Sequence, residues 1–145
     1  MPNLPLNHLK KRDGKQGYDH TNKPFYSSKV WRDLRGHVLR STPLCAVCLS
    51  QAIMTDCTRG GHVDHIIRIR LGGAKLDIKN LWVLCKPHHD KKSYLESRGY
   101  EVERKIENGE YVPTPEGIRQ LIDKIIWHEN YLRQHTYFNV FKSKP

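Results

Sequence analysis

The stretch HVDHIIRIRLGG, residues 62–73, decides the fold, and it places Asp64 beside His65 ahead of a glycine pair. Its apolar alternation predicts a strand, and the glycine pair predicts a turn. The run NLWVLC, residues 80–85, predicts a second strand. The segment KPHHDKKSYLES, residues 86–97, predicts a helix with a proline in its first turn. Two short strands followed by a helix therefore form the centre of the predicted fold.

A helix is predicted ahead of this centre, in YSSKVWRDLRGHVLRST, residues 26–42, with Ser27 or Ser28 as its cap. The Thr42-Pro43 pair should end it. Its apolar face has helical spacing and consists of Val30, Trp31, Leu34, Val38 and Leu39. We expect several large side chains of this helix and of the second strand in the core: Trp31, Leu34, Leu81, Trp82 and Leu84.

Two further elements are predicted after the centre. Residues 100–112, YEVERKIENGEYV, read as a hairpin that turns at Asn108-Gly109. An amphipathic helix starts at Thr114, with a proline in its first turn and an acid near its positive end. The apolar face of this helix consists of Ile118, Leu121, Ile122, Ile125 and Leu132.

The basic charge of the chain is confined to its first two thirds. Residues 1–92 contain seventeen Lys/Arg and seven Asp, whereas residues 93–145 contain eight residues of each sign, so the formal charge of +10 belongs to the first part. An excess of this size favours an acidic partner, most simply nucleic acid. A basic surface that serves only solubility is the alternative.

The first residues contain no apolar segment typical of a secretory signal. No run of about 18 apolar residues predicts a membrane span. We therefore expect a cytoplasmic protein without membrane contact. In a reducing compartment, the four cysteines favour metal binding over disulfides.

Two short motifs have the spacing of metal ligands. Cys45 and Cys48 form Cys-x-x-Cys, and Cys85 and His88 form Cys-x-x-His. Two intervening residues bring both side chains of a pair to one side of a tight turn, so the pairs predict one tetrahedral zinc. Such an ion would stabilise a small core, because zinc binding free energy becomes folding free energy.

Two alternatives to this ligand set remain open. Cys57 and His62 have Cys-x4-His spacing and can supply the fourth ligand in place of His88. Alternatively, the cysteines are buried apolar residues without a metal ion.

Between and after the two pairs, Asp64-His65, Asn80 and His89 follow in that order. With this order and the surrounding segments, the sequence resembles the HNH endonucleases, the ββα-metal nucleases. The resemblance covers about residues 26–93 and rests on YSSKVWRDLRGHVLRSTPLCAVC, VDHIIRIRLGG, KNLWVLC and CKPHHDKKS. The first of these segments is similar to the short HNH proteins of bacteriophages. The first 24 residues and the last 50 lie outside the resemblance.

The resemblance implies a catalytic set of four residues: Asp64, His65, Asn80 and His89. Asp64 and His89 would hold a catalytic divalent ion, Mg²⁺ or Mn²⁺, and His65 would be the general base. Asn80 would hold the loop around His65. Four nearby cations are expected to contact DNA phosphates, with solvated surface charges as the alternative: Arg68, Arg70, Lys91 and Lys92.

Two positions differ from the family pattern. His88 stands where phage-type members commonly have a cysteine, and Arg68 stands where proline is frequent. Histidine is still a legitimate zinc ligand, and Arg68 adds a cation beside the site.

The implied roles agree with the chemistry of the side chains. A neutral imidazole, with its ordinary pKa of about 6.5, can take a proton from water near pH 7. A divalent ion can stabilise charge on the scissile phosphate and on the departing 3′-oxygen. Neighbours on a strand point to opposite faces, so Asp64 and His65 can share one site only if the chain bends there.

The predicted fold class is α+β, with a small zinc-stapled ββα-metal core in residues 25–94. Residues 1–24 are expected to form a flexible basic arm, and residues 95–145 a hairpin and helix for DNA, partner or dimer contacts. The predicted function is metal-dependent cleavage of double-stranded DNA by a phage-associated endonuclease linked to DNA packaging. The alternatives are a catalytically silent zinc-stapled DNA-binding module, and an interaction protein whose last helix docks a packaging protein or a second copy.

Overall fold

The structure, a computed structural model, describes residues 22–142, with side chains up to His135. The predicted arm, residues 1–24, lies outside the described residues except for its last three, and Lys23 begins the first helix. The helices and strands are α1 (Lys23–Tyr26), α2 (Lys29–Ser41), α3 (Ala46–Ser50), β1 (His62–His65), β2 (Leu81–Leu84), α4 (Lys86–Ser97), β3 (Arg104–Glu107), β4 (Glu110–Pro113) and α5 (Pro115–Lys142).

The strand pair β1–β2, followed by α4, forms the centre of the molecule. The strands are antiparallel, with Asp64 opposite Trp82 and His65 opposite Leu81. β2 leads directly into α4, which begins with a proline in its first turn. The predicted α+β class, with a ββα unit at its centre, is thereby confirmed.

β1 is shorter than the strand predicted over residues 62–70. It ends at His65, and the next two residues, Ile66 and Ile67, are both buried at 3% exposure. The pairing of β1 with β2 also ends there, because the Ile67 backbone N–H donates to the Asn80 side chain. The chain instead leaves the strand and enters a short 3-10 turn at Ile69–Leu71.

α2 agrees with the predicted helix at both ends. The Ser28 side chain caps it by accepting a hydrogen bond from the Trp31 backbone N–H, and the helix ends at Ser41, before Thr42-Pro43. Trp31 and Val38 are buried against the strand pair. Val30 is 59% exposed, so its assignment to the apolar face was wrong. It is adjacent to Trp31, which turns it by about 100° away from the buried face.

The C-terminal hairpin turns at Asn108 and Gly109, whose positive φ angles of 51° and 77° match a tight hairpin turn. β4 also pairs with the loop between β1 and β2, because Tyr111 exchanges backbone hydrogen bonds of 2.9 Å with Gly72 and Ala74. The hairpin therefore supports the loop that follows Asp64 and His65.

α5 packs one face against the core. Leu121 and Ile125 are fully buried, and Ile118 and Ile122 are partly buried around them. Leu132, predicted on the same face, is 43% exposed, because α5 has run past the core by that point. None of the described helices combines the length and apolar character that crossing a membrane requires.

Candidate metal centre and active site

Three cysteines and one histidine meet beside α3 and the start of α4. His88 Nδ1 lies 3.4 Å from both Cys45 Sγ and Cys48 Sγ. The same nitrogen lies 3.2 Å from Cys85 Sγ. All four donor atoms lie within 4.8 Å of one another. Three sulfurs and one imidazole nitrogen at this spacing suit a tetrahedral metal ion, so the two predicted ligand pairs form one cluster.

Burial prevails at two of the three thiols and opposes their ionisation. Burial raises the pKa of Cys85 to about 12 and also raises that of Cys48. Burial acts in the same direction on Cys45, but hydrogen bonds with His88 and nearby backbone outweigh it and hold the pKa at about 6. Only one thiolate therefore forms readily near neutral pH. A metal ion would favour the thiolate form of the other two.

Glu129 of α5 supports the cluster from outside. Its Oε2 lies 3.2 Å from His88 Nε2, on the far side of the ring from the sulfurs. A carboxylate in this position fixes the orientation of a metal-binding imidazole. Spacing along the sequence does not identify Glu129, because it lies 41 residues from His88, on a helix predicted only from its apolar spacing.

The alternative fourth ligands lie outside the cluster. Cys57 Sγ contacts the backbone oxygen of Thr55 at 3.6 Å. His62 stacks on His89, with ring centroids 4.1 Å apart and planes 9° apart. His88 is thus the histidine of the cluster within residues 22–142.

Asp64 and His89 form a second polar group, between β1 and α4. Asp64 Oδ1 lies 3.7 Å from His89 Nε2. Two ligands of one small divalent ion stand about 3–4 Å apart, since each metal–ligand bond is about 2.0–2.2 Å long. This spacing therefore fits a shared ion. Neighbours on a helix point about 100° apart, which lets His88 face the sulfurs while His89 faces Asp64.

Lys92 lies inside the protein, where its side chain is 1% exposed. Its Nζ is 2.9 Å from Asp64 Oδ2, donates a hydrogen bond of 3.0 Å to the backbone oxygen of His65, and also pairs with Glu96. Burial lowers the pKa of Lys92, but the two carboxylates outweigh burial and raise the pKa overall. Lys92 is therefore a buried ammonium, and this placement contradicts its predicted contact with a DNA phosphate.

The other predicted phosphate contacts lie nearer the surface. Arg68 is partly exposed, and its Nε lies 2.7 Å from Glu96 Oε2, an ion pair that takes up part of its charge. Arg70 is exposed and Lys91 is partly exposed. Contact of these three side chains with DNA stays a prediction.

His65 faces away from Asp64, toward α1 and α2. Its ring stacks on Trp31, with centroids 4.9 Å apart, and both Phe25 and Tyr26 lie at 6.0 Å. The residue is 4% exposed. The strand therefore continues regularly through Asp64 and His65, and the two side chains emerge on opposite faces, as strand geometry requires.

The hydrogen bond of His65 defines which ring nitrogen is free. Its Nε2 lies 2.9 Å from the backbone oxygen of Lys75. Because a carbonyl only accepts hydrogen bonds, Nε2 carries the proton in the neutral ring and Nδ1 keeps a lone pair. Burial lowers the pKa of His65, which favours the neutral ring at pH 7.

Asn80 is fully buried and holds the loop between the strands. Its Oδ1 accepts a hydrogen bond of 2.8 Å from the Ile67 backbone N–H. Its Nδ2 donates to the backbone oxygens of Ile67 and Ala74, at 3.0 and 2.9 Å. The amide therefore contacts three backbone groups of the loop that follows His65, as a positioning residue would.

Trp82 has a polar contact that its apolar surroundings in the sequence do not predict. It was assigned to the core, and it is indeed buried, at 6% exposure. Its indole Nε1–H donates a hydrogen bond of 3.0 Å to Asp64 Oδ2. The strand register could have identified this contact, because Trp82 stands directly opposite Asp64.

The class of protein follows from four features, and it is a small metal-binding ββα protein. The features are an antiparallel strand pair, the helix that follows it, a Cys₃His cluster and the Asp64–His89 pair.

Neither a protein-family profile nor a curated protein matches the chain. A solved structure does match, the manganese-containing crystal structure of the HNH endonuclease of the deep-sea thermophilic bacteriophage GVE2. The identity is 30%, the match covers 61% of this chain and 100% of that one, and the TM-score is 0.50. The chain belongs to the HNH endonuclease family.

Proposed function

We propose that this protein is a divalent-metal-dependent DNA endonuclease with one structural zinc. The observation that carries the proposal is the convergence of Asp64 from β1 and His89 from α4, at 3.7 Å, beside a Cys₃His cluster. The similarity to a manganese-containing HNH endonuclease supports the same assignment. The zinc ligands are Cys45, Cys48, Cys85 and His88.

Double-stranded DNA is the proposed substrate, because the formal charge of +10 lies in residues 1–92, which also hold the site. Arg70 and Lys91 are the cations best placed for phosphate contacts, since Lys92 is buried and Arg68 is paired with Glu96. Such contacts hold the duplex in register without reading its sequence.

The side chains have separate roles in the proposed reaction. Asp64 and His89 would hold Mg²⁺ or Mn²⁺, and such an ion would supply charge stabilisation at the scissile phosphate and the leaving oxygen. His65 Nδ1 accepts the proton of the attacking water. Asn80 holds the loop that positions the His65 ring. Cleavage would leave 5′-phosphate and 3′-hydroxyl ends.

The catalytically silent DNA-binding module is the second candidate, and the burial of His65 favours it. Phe25, Tyr26 and Trp31 surround the ring, which is 4% exposed. A general base must reach its proton directly or through one water molecule. His65 and Asp64 also leave β1 on opposite faces. The endonuclease proposal therefore requires that, when DNA binds, the aromatic cover moves from His65 and the end of β1 bends so that His65 faces the proposed ion.

We also propose that the protein is phage-encoded and acts in the cytoplasm of the host bacterium. The similarity to a bacteriophage protein supports this origin. A link to DNA packaging would require contact with a packaging protein, and the neutral charge of residues 93–145 makes that part the better candidate for such a contact.

Plasmid cleavage by the wild type, His65→Ala and Asp64→Asn tests the function, with EDTA, Mg²⁺ or Mn²⁺. His37→Ala is the matched control, since His37 is an exposed histidine on α2. Zinc content and DNA affinity at fixed salt are measured first for every variant. Wild type and His37→Ala should nick or linearise the plasmid with metal, and the other two variants should not.

Cleavage by His65→Ala at the wild-type rate would disprove the general-base role. If the wild type and all variants bind DNA equally and none of them cleaves it under any metal condition, the protein is instead the silent module.

A further inference from the structure

The two oxygens of the Asp64 carboxylate have different surroundings. Oδ2 accepts from the Trp82 indole N–H at 3.0 Å and from the Lys92 ammonium at 2.9 Å. Oδ1 faces His89 Nε2 at 3.7 Å. One oxygen is therefore occupied by protein donors, and the other is directed to the proposed ion site.

Burial fixes both donors to Oδ2. The Trp82 ring lies in β2, opposite Asp64, and is packed in the core. The Lys92 ammonium has three N–H donors, and its three partners are Asp64 Oδ2, the backbone oxygen of His65 and Glu96 Oε1. Neither donor can leave Oδ2 without losing contacts in the interior.

We propose that Trp82 and Lys92 are positioning residues that leave Asp64 a single oxygen for the divalent ion and so select Mg²⁺ or Mn²⁺ over Ca²⁺. This inference rests on the proposed function, in which Asp64 and His89 hold the ion. Ca²⁺ takes six to eight oxygen ligands and commonly binds a carboxylate through both oxygens. Mg²⁺ is bound through one or two carboxylates and keeps several waters. A carboxylate with one blocked oxygen suits the second kind of ion.

Mn²⁺ binding to the zinc-loaded full-length protein, followed by electron paramagnetic resonance, tests the inference without any cleavage assay. The main variant is Trp82→Phe, which removes the N–H donor and keeps most of the ring. Trp127→Phe is the matched control, because Trp127 is exposed on α5. Displacement of Mn²⁺ by Ca²⁺ is measured for each protein.

The wild type and Trp127→Phe should bind Mn²⁺ equally and resist displacement by Ca²⁺. Trp82→Phe should bind Mn²⁺ about tenfold more weakly, a loss typical when the support of a metal ligand is removed. Its preference for Mn²⁺ over Ca²⁺ should also shrink, because Oδ2 loses one of its two donors. Unchanged affinity and preference in Trp82→Phe would overturn the inference.

Lys92 is tested in the double variant Lys92→Met/Glu96→Gln, which removes one charge of each sign and so keeps the net charge around Asp64 unchanged. Zinc content and circular dichroism identify variants that keep the fold. In a folded double variant, the preference for Mn²⁺ over Ca²⁺ should shrink as in Trp82→Phe. An unchanged preference would remove Lys92 from the proposal.

Asp64→Asn and His89→Ala separate this inference from the proposed function. If neither substitution weakens Mn²⁺ binding, the proposed ion site is wrong, and the inference fails with it. If both weaken binding while Trp82→Phe behaves as wild type, the ion site stands and only the positioning role fails.

Discussion

His65, His88 and His89 differ in role because their ring nitrogens face different groups. His88 directs Nδ1 to three sulfurs and Nε2 to Glu129. His89 directs Nε2 to Asp64. His65 shares its Nε2 proton with the Lys75 backbone oxygen and keeps Nδ1 as the basic atom. At the scale of single residues, the same side chain is therefore a candidate metal ligand in one place and a candidate base in another.

The first prediction concerns the pH dependence of His65, whose pKa burial lowers below the ordinary imidazole range. A general base works in its neutral form, so kcat/KM should hold steady through pH 6.5 and fall only below it. The free energy of unfolding should also decrease as the pH falls below about 6.5, because His65 binds its proton more tightly in the unfolded chain than in the folded protein. A pH profile of plasmid cleavage and an NMR titration of His65 provide the measurements. An acid limb at or above pH 6.5 would contradict this prediction.

A second prediction concerns Asn80, whose Nδ2 donates to two buried backbone oxygens. Asn80→Asp keeps the shape and replaces both donors with an acceptor, so we expect a loss of at least about 2 kcal/mol of unfolding free energy. Asn130→Asp, an exposed change on α5, is the control and should be near neutral. Urea unfolding of the zinc-loaded variants measures both. Equal stability of the two variants would mean that Asn80 does not hold the loop.

At the scale of elements, the loop between β1 and β2 is held from two sides. Asn80 binds its backbone from within, and Tyr111 of β4 pairs with Gly72 and Ala74 from outside. Gly73 stands between these supports and packs against the loop backbone. The C-terminal hairpin thus contributes to the geometry of the candidate site, although it lies outside the segment that resembles the family.

Substitution of two glycines provides the third prediction. A Cβ on Gly73 would lie 1.9 Å from the backbone oxygen of Ile67, whereas a Cβ on Gly109 meets nothing within 4 Å. Gly109→Ala should therefore cost only the strain of its positive φ, about 1–2 kcal/mol. Gly73→Ala should cost about 3 kcal/mol or more, because backbone must move. Thermal unfolding ranks the two variants, and the reverse order would disprove the tight packing at Gly73.

At the scale of the whole molecule, the Cys₃His cluster joins segments that are far apart in sequence. Cys45 and Cys48 lie at the cap and in the first turn of α3, and Cys85 and His88 lie at the cap and in the first turn of α4. Glu129 connects α5 to the cluster through its contact with His88. An ion in the cluster would therefore link three helices that share one small core.

The fourth prediction is that each chain contains one zinc and that chelation unfolds the protein cooperatively, since the binding free energy is part of the folding free energy.

Glu129→Gln should weaken zinc binding about tenfold, because the carboxylate orients His88. Glu110→Gln, an exposed change in the hairpin, should leave zinc affinity unchanged. Competition with a chromogenic chelator measures these affinities. A native fold after complete zinc removal would contradict the prediction.

The fifth prediction concerns α5, which is part of the core although residues 95–145 were predicted as a region for DNA, partner or dimer contacts. Leu121 is fully buried, so Leu121→Ala should cost about 2–5 kcal/mol of unfolding free energy. Trp127→Ala, on the exposed side of the same helix, should cost less than about 0.5 kcal/mol. Denaturant unfolding compares them. Similar losses in both would mean that α5 packs differently.

The sequence by itself determined the local features of this protein. The ligand pairs, the order of Asp64, Asn80 and His89, the Ser28 cap and the turn at Asn108-Gly109 were all predictable, because each depends on neighbours a few residues away. The family could be inferred for the same reason, since its motif consists of short segments with set spacing.

Only the tertiary structure decided which side chains share a space. The contacts of Trp82 and Lys92 with Asp64, the support of His88 by Glu129 and the enclosure of His65 by aromatic rings all join separate elements. Spacing along the chain does not specify such contacts, because they depend on the register of β1 with β2 and on how α4 and α5 pack. Burial then decides whether a charge such as Lys92 meets solvent and DNA or an internal carboxylate.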